Sequence, residues 1–492
     1  MFESAELGHI VDKATYKDEV PKLREQLLDV QFELADKKPF PVILIISGVD
    51  GAGKGDTVNT LNFWMDPRNI HAHALGEPTD EELERPAMWR YWRKLPPRGS
   101  IGVFFGSWYS HPMRMHIDGG KDRDYLDSYL DDFLRFERML ADEGALVLKF
   151  WLHLSKDALK KRFTELESDK ATKWRVTKKD WERYERYDDL RPVAEHVLRR
   201  TSTGHAPWIV IESADEKYRN LTVGRTILKA IKARLTDTAK PTSVSVPVQA
   251  LDHADDINLL SSLDTTKTLS KKEYNKQLEH YQGRLHKLSR SSKFRDHSVV
   301  VVFEGNDAAG KGGAIRRVIG AMDSRFYNIV PIAAPTDEEK AQPYLWRFWR
   351  HLPGKGRTVI FDRSWYGRVL VERVEGYCSQ ADWLRAYSEI NDFEEEMARH
   401  GVIVVKFWLS ITADEQLKRF EEREATGYKR FKLTEEDWRN RDKWDEYAGA
   451  VCDMVERTST EIAPWTLIEA NSKYYARIKV LKTLCKRLEA EF

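Results

Sequence analysis

The chain of 492 residues carries one glycine-rich motif at two distant positions. The motif Gly-x-Asp-x-x-Gly-Lys-Gly occupies residues 48–55 and again residues 305–312, an offset of 305 − 48 = 257 positions. The run Pro-Thr-Asp-Glu-Glu recurs at the same offset, at residues 78–82 and 335–339. A period this long lies far beyond the roughly 20 to 50 residues of solenoid repeats. The sequence therefore predicts two tandem domains that arose by duplication of a whole domain.

The boundaries of these domains follow from a change in composition between the copies. We place the first domain at residues 1–235, a linker at residues 236–270 and the second domain at residues 271–492. The linker contains Pro241 and Pro247 among several Ser, Thr and Asp residues, with little periodicity. Such a stretch is typical of a connecting segment.

Each copy begins with an apolar run followed by the glycine-rich turn and a helical segment. The runs at residues 41–46 and 298–303 have the length and composition of buried parallel strands. Three further strand candidates follow in each copy, with helical segments between them, at residues 101–105, 146–152 and 208–212 and at residues 358–361, 402–409 and 465–469. The predicted fold class is α/β, with two tandem P-loop kinase-like domains. Each is a parallel sheet flanked by helices with a helical lid, and ligands bind at the carboxyl ends of the strands.

Charge and cysteine content limit the classes of partner. The chain has 80 basic and 79 acidic residues, a net charge of +1, so nucleic acid is not expected as a partner. Three cysteines in so long a chain fit a reducing compartment. The N-terminus is acidic, without the pattern of a secretory signal, and no stretch has the length of a membrane span. We expect a cytoplasmic protein with no membrane partner that forms a homo-oligomer, a dimer.

The second copy of the motif supplies candidate phosphate contacts. Glycines allow backbone N–H groups to converge on an anion, the lysine adds charge, and the helix that follows adds its dipole. A tight turn without a ligand is the alternative. Gly55 and Gly312 replace the Ser or Thr that binds Mg²⁺ in common nucleotide hydrolases, which weakens that assignment. The candidate phosphate or nucleotide contacts are Gly305, Asn306, Gly310, Lys311, Gly312 and Gly313.

Both loops also contain an acid, Asp50 in the first copy and Asp307 in the second. A carboxylate among phosphate-binding amides is electrostatically costly unless it holds a cation or takes a proton from an attacking phosphate oxygen. The alternative is an aspartate that caps its own turn.

A second acid follows another strand, but only in the second copy. Asp362 ends an apolar run and can hold Mg²⁺, while Arg363 and Arg368 can clamp phosphoryl oxygens. A structural ion pair between Asp362 and an arginine is the alternative. The first copy has Phe105, Gly106 and His111 at these three positions, so we expect it to be catalytically degenerate.

A basic segment beyond the third strand of the second copy is the candidate lid. Such charges usually form a solvated helix face. Beside a phosphate loop they favour a mobile lid that closes over a polyanion and excludes water. The residues are Lys418, Arg419, Arg423, Lys429, Arg430 and Lys432.

Taken together, these motifs resemble the polyphosphate kinase 2 family. The resemblance rests on the glycine-rich loops, the run at residues 335–339, the Arg-Phe-Trp-Arg run ending at Arg350, residues 361–368 and residues 429–433. It covers both halves of the chain, apart from the linker and the first residues. The chain is similar to the tandem two-domain members.

The resemblance implies transfer of phosphoryl groups between inorganic polyphosphate and adenine nucleotides with Mg²⁺ as cofactor. Tandem members are implied to phosphorylate AMP to ADP in the second domain. Asp307 would organise the metal and activate the acceptor phosphate, and Asp362 would bind Mg²⁺. Arg363 and Arg368 would neutralise the transferring group. The basic lid would follow the polyphosphate chain. Lys311 would be a catalytic residue that cradles phosphate, with Asp307, Asp362, Arg363 and Arg368, and Arg350 would contact phosphate or nucleotide.

Three alternatives stay open at this point. Within the family, the acceptor could be ADP, giving ATP. An ATP-dependent nucleoside monophosphate kinase would share the loop, the lid and the strand-end Asp-Arg. A non-catalytic polyphosphate-binding scaffold is the third reading, against which the intact Asp362, Arg363 and Arg368 argue.

Overall fold

The computed structural model describes residues 1–236, 259–427 and 433–492. The chain divides into two compact units, one around each of two sheets. We call the described residues up to 236 the first repeat and those from 259 the second repeat. Most of the predicted linker lies outside the described residues, and the predicted domain boundaries stay a prediction. No helix within the described ranges is long and apolar enough to cross a membrane.

The first repeat contains a parallel sheet with five strands in its described residues. The strand order is β2-β3-β1-β4-β5. In chain order the strands are β1 (Val42–Gly48), β2 (Ile70–Ala74), β3 (Ile101–Phe105), β4 (Leu146–His153) and β5 (Trp208–Glu212).

The second repeat contains a parallel sheet of the same order, β7-β8-β6-β9-β10, again with five strands among its described residues. This agreement confirms the predicted α/β class. The strands are β6 (Ser298–Gly305), β7 (Tyr327–Pro331), β8 (Thr358–Asp362), β9 (Val402–Ser410) and β10 (Trp465–Glu469).

Helices connect the strands of each repeat. Those of the first repeat are α1 (Lys13–Lys37), α2 (Lys54–Trp64), α3 (Asp80–Leu83), α4 (Trp89–Trp92), α5 (Ser110–Ile117), α6 (Arg123–Asp142), α7 (Lys156–Ser168), α8 (Lys178–Glu185), α9 (Tyr187–Thr201) and α10 (Glu216–Thr236). Those of the second are α11 (Lys271–Leu288), α12 (Ser292–Asp296), α13 (Lys311–Ile319), α14 (Asp337–Lys340), α15 (Trp346–Trp349), α16 (Val371–Val374), α17 (Gln380–Arg399), α18 (Ala413–Glu424), α19 (Glu435–Asp442), α20 (Trp444–Thr458) and α21 (Lys473–Glu491).

The edge strands β2 and β7 differ from the prediction, which had four strands in each copy. Both are short, and each has one buried residue, Ile70 in β2 and Val330 in β7. An edge strand pairs on one side and can stay largely exposed, so its sequence lacks the continuous apolar run of a central parallel strand. The apolar-run criterion therefore detects the central strands and misses these two.

Each repeat buries an ion pair beside its central strand. In the second repeat the Nζ atom of Lys406 lies 2.6 Å from Glu394 Oε2 and 2.8 Å from the Tyr366 hydroxyl. Lys149 and Glu137 form the matching pair at 2.6 Å in the first repeat. All four charged side chains are fully buried, and burial lowers the pKa of both lysines. Because Tyr366 lies four residues after Asp362, the pair also fixes the turn at the end of β8.

Candidate active site

The glycine-rich loop of the second repeat joins β6 to α13 in a conformation that its glycines permit. Gly305 has a φ of +149°, and a Cβ atom there would lie 2.4 Å from the Leu409 carbonyl oxygen. Gly310 caps α13 with a φ of +106°. Lys311, the first residue of α13, donates from Nζ to the Gly305 carbonyl at 2.6 Å. The lysine therefore bridges the two ends of the loop.

Two residues of the second repeat hold a left-handed backbone without being glycine. Ala308 has a φ of +64° and Arg363 a φ of +65°. The equivalent residues of the first repeat are glycines, Gly51 at +80° and Gly106 at +77°. A non-glycine residue in this region costs about 1 kcal/mol or more, and such strain is concentrated at functional sites. The side chain of Arg363 is thus retained at a position where glycine would be the relaxed choice.

The carboxylate of Asp307 is held by side chains from outside its own loop. Arg363 donates to Oδ1 at 3.2 Å, and Asn440 of α19 donates to Oδ2 at 2.8 Å. The side chain of Asp307 is 13% exposed. These contacts favour a site carboxylate over an aspartate that caps its own turn.

Asp362 ends β8 directly opposite Phe303 of β6, next to the start of the loop. Within the described ranges its carboxylate accepts no hydrogen bond, although its charge raises the pKa of neighbouring Arg363 together with Asp307 and Glu304. Burial acts in the opposite direction on Arg363 and is overcome by these acids. The side chain of Asp362 is half-buried at the carboxyl edge of the sheet, where the fold class places ligands.

Glu304 is an acid of this site that the sequence reasoning missed. It lies one residue before Gly305, is 5% exposed and accepts a hydrogen bond from Ser364 Oγ at 2.8 Å. Burial raises its pKa, although the charges of Lys311 and Arg363 act against the shift. The sequence contains a signal for this residue, because a charged glutamate directly follows the apolar run of β6. The first repeat has Ser47 at this position.

Arg368 pairs with an acid of the following helix. Its Nε atom lies 3.0 Å from Glu372 Oε2, and the arginine side chain is 13% exposed. The first repeat has His111 and Met115 at these two positions. Arg368 therefore lies six residues after Asp362 and forms a largely buried ion pair with Glu372.

The structure shows a supporting role for Arg419 that the sequence did not predict. This side chain is 3% exposed and lies under the loop, where its guanidinium donates to the carbonyl oxygens of Ala308 and Ala309 at 3.0 and 3.1 Å. It also donates to the carbonyls of Ala470 and Asn471. Its donors therefore support the loop, and the predicted contact of Arg419 with phosphate stays a prediction.

Asn306 also supports the loop, and its predicted contact with phosphate stays a prediction. Its backbone N–H donates to the Leu409 carbonyl at 3.2 Å, and its Oδ1 accepts from the N–H of Ile411 at 3.1 Å. Asn306 therefore anchors the loop to the end of β9.

The remaining predicted contacts lie at three places. Gly312 and Gly313 form the first turn of α13, and a Cβ atom on Gly313 would lie 3.1 Å from Arg477. Arg423 lies near the end of α18, and Arg350 is an exposed residue directly after α15. The predicted lid residues Lys429, Arg430 and Lys432 lie outside the described residues. Phosphate contact by this set stays a prediction.

The acids of the site fit a divalent ion that is shared with a ligand. No group of three or more His, Cys, Asp or Glu side chains in the described part of the chain is arranged as a metal cage. Mg²⁺ in phosphoryl-transfer sites is commonly held by one or two carboxylates together with substrate phosphates and water. Asp307 and Asp362 match that donor set.

Both repeats of the chain are similar to known proteins. The profile of the polyphosphate kinase 2 family matches residues 10–239 and 268–492. The chain belongs to the polyphosphate kinase 2 family. Both repeats match the same profile, which confirms the resemblance noted in the sequence.

Several members of the polyphosphate kinase 2 family match over the whole chain. The polyphosphate:AMP phosphotransferase of Pseudomonas aeruginosa is 57% identical over 492 residues, covering 100% of this chain and 99% of that protein. The polyphosphate:AMP phosphotransferase of Pseudomonas syringae pv. tomato is 53% identical over 493 residues, with the same coverage. A crystal structure from Pseudomonas aeruginosa assigned to polyphosphate kinase 2 superposes with a TM-score of 0.90 at 56% identity, covering 100% of this chain and 99% of that one.

Proposed function

We propose that the chain transfers a phosphoryl group from inorganic polyphosphate to AMP and releases ADP. The observation that carries the proposal is the full-length similarity to two polyphosphate:AMP phosphotransferases, at 57% and 53% identity. In the reaction an oxygen of the AMP phosphate forms a bond to the terminal phosphorus of the chain. The bridging P–O bond breaks, and polyphosphate leaves one unit shorter. The proton of the acceptor phosphate goes to a base or to solvent.

The second repeat has the side chains for this chemistry. Phosphoryl transfer depends mainly on positioning and on neutralisation of charge. Lys311 and Arg363 supply cations at the loop, and Arg368 follows Arg363 by five positions. Asp307, which accepts hydrogen bonds from Arg363 and Asn440, would orient the acceptor or take its proton.

Asp307 and Asp362 would hold the Mg²⁺ of this site. The ion would supply positive charge to the phosphate oxygens during transfer. Glu304 would act behind them by keeping Ser364 and the nearby cations in position.

The remaining expectations on setting and assembly also form part of the proposal. The protein would act in the cytoplasm, without nucleic acid or membrane partners, and assemble as a homodimer. The acceptor would be AMP in preference to ADP, since the relatives named above are AMP phosphotransferases.

The test is an assay of the purified chain with AMP, polyphosphate and Mg²⁺, without ATP. We expect ADP to form and EDTA to stop its formation. Asp362→Asn should lower the turnover number by about 100- to 1,000-fold, because one metal and phosphate contact of the transition state is removed. Asp296→Asn, at an exposed residue of α12, is the matched control and should behave like the wild type.

Three outcomes would contradict this function. Formation of ADP with ATP as donor but not with polyphosphate would make the chain a nucleoside monophosphate kinase. Faster use of ADP than of AMP would move the acceptor to the diphosphate. Wild-type turnover by Asp362→Asn would remove that carboxylate from the reaction.

A further inference from the structure

The first repeat keeps a cavity of about 480 Å³ at the carboxyl edge of its sheet. The cavity is lined by the loop residues Gly48, Asp50 and Lys54 and by Phe105 and Gly106 at the end of β3. Its volume lies within the roughly 300 to 1,000 Å³ of small-molecule sites. The repeat that lacks the strand-end acid therefore still has room for a ligand.

The glycine-rich loop of this repeat is intact. Gly48 has a φ of +143°, and a Cβ atom there would lie 2.2 Å from the Leu152 carbonyl oxygen. Lys54 donates from Nζ to the Gly48 carbonyl at 2.9 Å, as Lys311 does to Gly305 in the second repeat. The backbone geometry that presents N–H groups to an anion is thus retained.

Two arginines near this loop stand at positions where the second repeat has neutral residues. Arg183 of α8 stands where the second repeat has Asn440, and its guanidinium lies 3.2 Å from Asp50 Oδ2. Arg114 of α5, which also pairs with Glu77, stands where the second repeat has Val371. These two arginines replace the charges lost at Gly106 and His111.

The side chains that line the cavity carry a positive excess, and two of the cations, Arg114 and Arg186, also pair with acids outside the lining, Glu77 and Asp189. Burial alone would raise the pKa of Asp50, but Lys54, Arg183 and Arg114 together hold it below its ordinary value, so the loop acid stays ionised. Two acids and four cations line the cavity, namely Asp50, Asp118, Lys54, Arg114, Arg183 and Arg186. Such a site attracts an anion by its own side chains.

Of the two positions that would hold Mg²⁺ in the second repeat, Asp307 and Asp362, only the second is neutral in this repeat. Ser47 and Phe105 stand where the second repeat has Glu304 and Asp362. Asp50, the remaining loop acid, is engaged by Lys54 at 2.8 Å and by Arg183. An anion can therefore be neutralised here without Mg²⁺, and the metal carboxylate Asp362 of the second repeat has no counterpart.

One side of the cavity is apolar. Met113 and Ile117 of α5 face it together with Leu190 and Leu198 of α9. An inorganic polyphosphate is charged along its whole length and gains nothing from such a surface. A phosphate ester with a flat, partly apolar body can place its phosphate at the loop and its body against this wall.

We propose that the first repeat binds a nucleoside monophosphate through its glycine-rich loop, without a divalent ion and without transferring a phosphoryl group. The site is additional to the transfer site of the second repeat and goes beyond the function proposed above. Its existence does not depend on whether the donor in the second repeat is polyphosphate or ATP.

The test is binding of AMP to the full chain in EDTA, measured by isothermal titration calorimetry with polyphosphate absent. We expect a site that persists in EDTA. Arg183→Asn and Arg114→Val, which introduce the residues of the second repeat, should each weaken this site by about tenfold or more, because a charged hydrogen-bond donor is lost. Lys178→Ala is the matched control, since Lys178 lies on α8 with 92% of its side chain exposed.

A further variant assigns the binding to one repeat. Lys311→Ala, in the second repeat, should leave the EDTA-resistant affinity within about twofold of wild type. Absence of AMP binding in EDTA would overturn the proposal. So would loss of that binding in Lys311→Ala but not in Arg183→Asn, or tighter binding of tripolyphosphate than of AMP in the same titration. None of these outcomes depends on turnover, so a failure of the function proposed above is detected separately.

Discussion

At the scale of single residues, the second repeat differs from the first by a few side chains around the same backbone. Arg363 has a φ of +65° where the first repeat has Gly106. The second repeat therefore has a guanidinium group at this position together with a strained backbone conformation. Its partner Asp307 is held by a second donor, Asn440, at 2.8 Å. The polar side chains of the candidate site are therefore positioned before a ligand arrives.

Glu304 provides the sharpest prediction at this scale. Glu304→Gln keeps the shape of the side chain and can still accept from Ser364, so we expect a folded protein with a turnover number about 10- to 100-fold lower. Burial raises the pKa of Glu304 above its ordinary value. As the pH falls through that raised pKa the glutamate takes up a proton, so the wild-type turnover number should fall. The glutamine variant should lack this decline.

The measurement is the turnover number of both proteins between pH 5 and pH 8. Ser47→Ala, at the equivalent position of the first repeat, is the control and should match the wild type. A glutamine variant with an unchanged acidic decline would assign that decline to another group.

At the scale of elements, the sequence predicts the central strands and the edge strands β5 and β10 but misses the edge strands β2 and β7. The runs at residues 298–303 and 402–409 match β6 and β9 because both strands are buried on two faces. β2 and β7 escape because their residues are largely exposed. An apolar run in the sequence indicates a strand that is buried on both faces. The exposed edge strands β2 and β7 lack such a run and are recognised only by their hydrogen bonds to one neighbouring strand.

The buried pair of β9 and α17 yields a prediction about stability. Lys406→Met would leave the fully buried Glu394 without its counter-charge and should lower the free energy of unfolding of the second repeat by about 3 to 5 kcal/mol. The double variant Lys406→Met with Glu394→Leu removes both charges and should recover much of that loss. Urea denaturation followed by circular dichroism measures both.

Lys149→Met in the first repeat is the matched variant, because Lys149 and Glu137 form the same buried pair. It should lower the free energy of unfolding by a similar amount, because it leaves the buried Glu137 without its counter-charge. A double variant less stable than Lys406→Met alone would show that the pair contributes more than charge compensation.

At the scale of the whole molecule, the two repeats share a sheet order and differ in chemistry. If only the second repeat transfers phosphoryl groups, Lys311→Ala should lower the turnover of the full chain by about 100-fold or more, because a cation of the transition state is lost. Two equivalent sites would instead leave about half of the activity. The assay is ADP formation from AMP and polyphosphate.

The control for this variant is Lys276→Ala, at an exposed lysine of α11. Circular dichroism of each variant reports whether the fold is kept. Residual turnover near one half in a folded Lys311→Ala protein would assign transfer to both repeats.

The sequence by itself determined the duplication, the parallel α/β class, the two glycine-rich loops and the missing Asp-Arg of the first repeat. These features depend on local composition and on residues that follow one another along the chain. Only the tertiary structure decided which distant side chains meet at each loop. Arg419 reaches the carbonyl of Ala308 across 111 positions, and Asn440 reaches Asp307 across 133. A basic residue reads the same in sequence whether it supports a loop from beneath, as Arg419 does, or faces a cavity, as Arg183 does. Which of these two roles a basic residue has depends on where the tertiary fold places its helix relative to the glycine-rich loop.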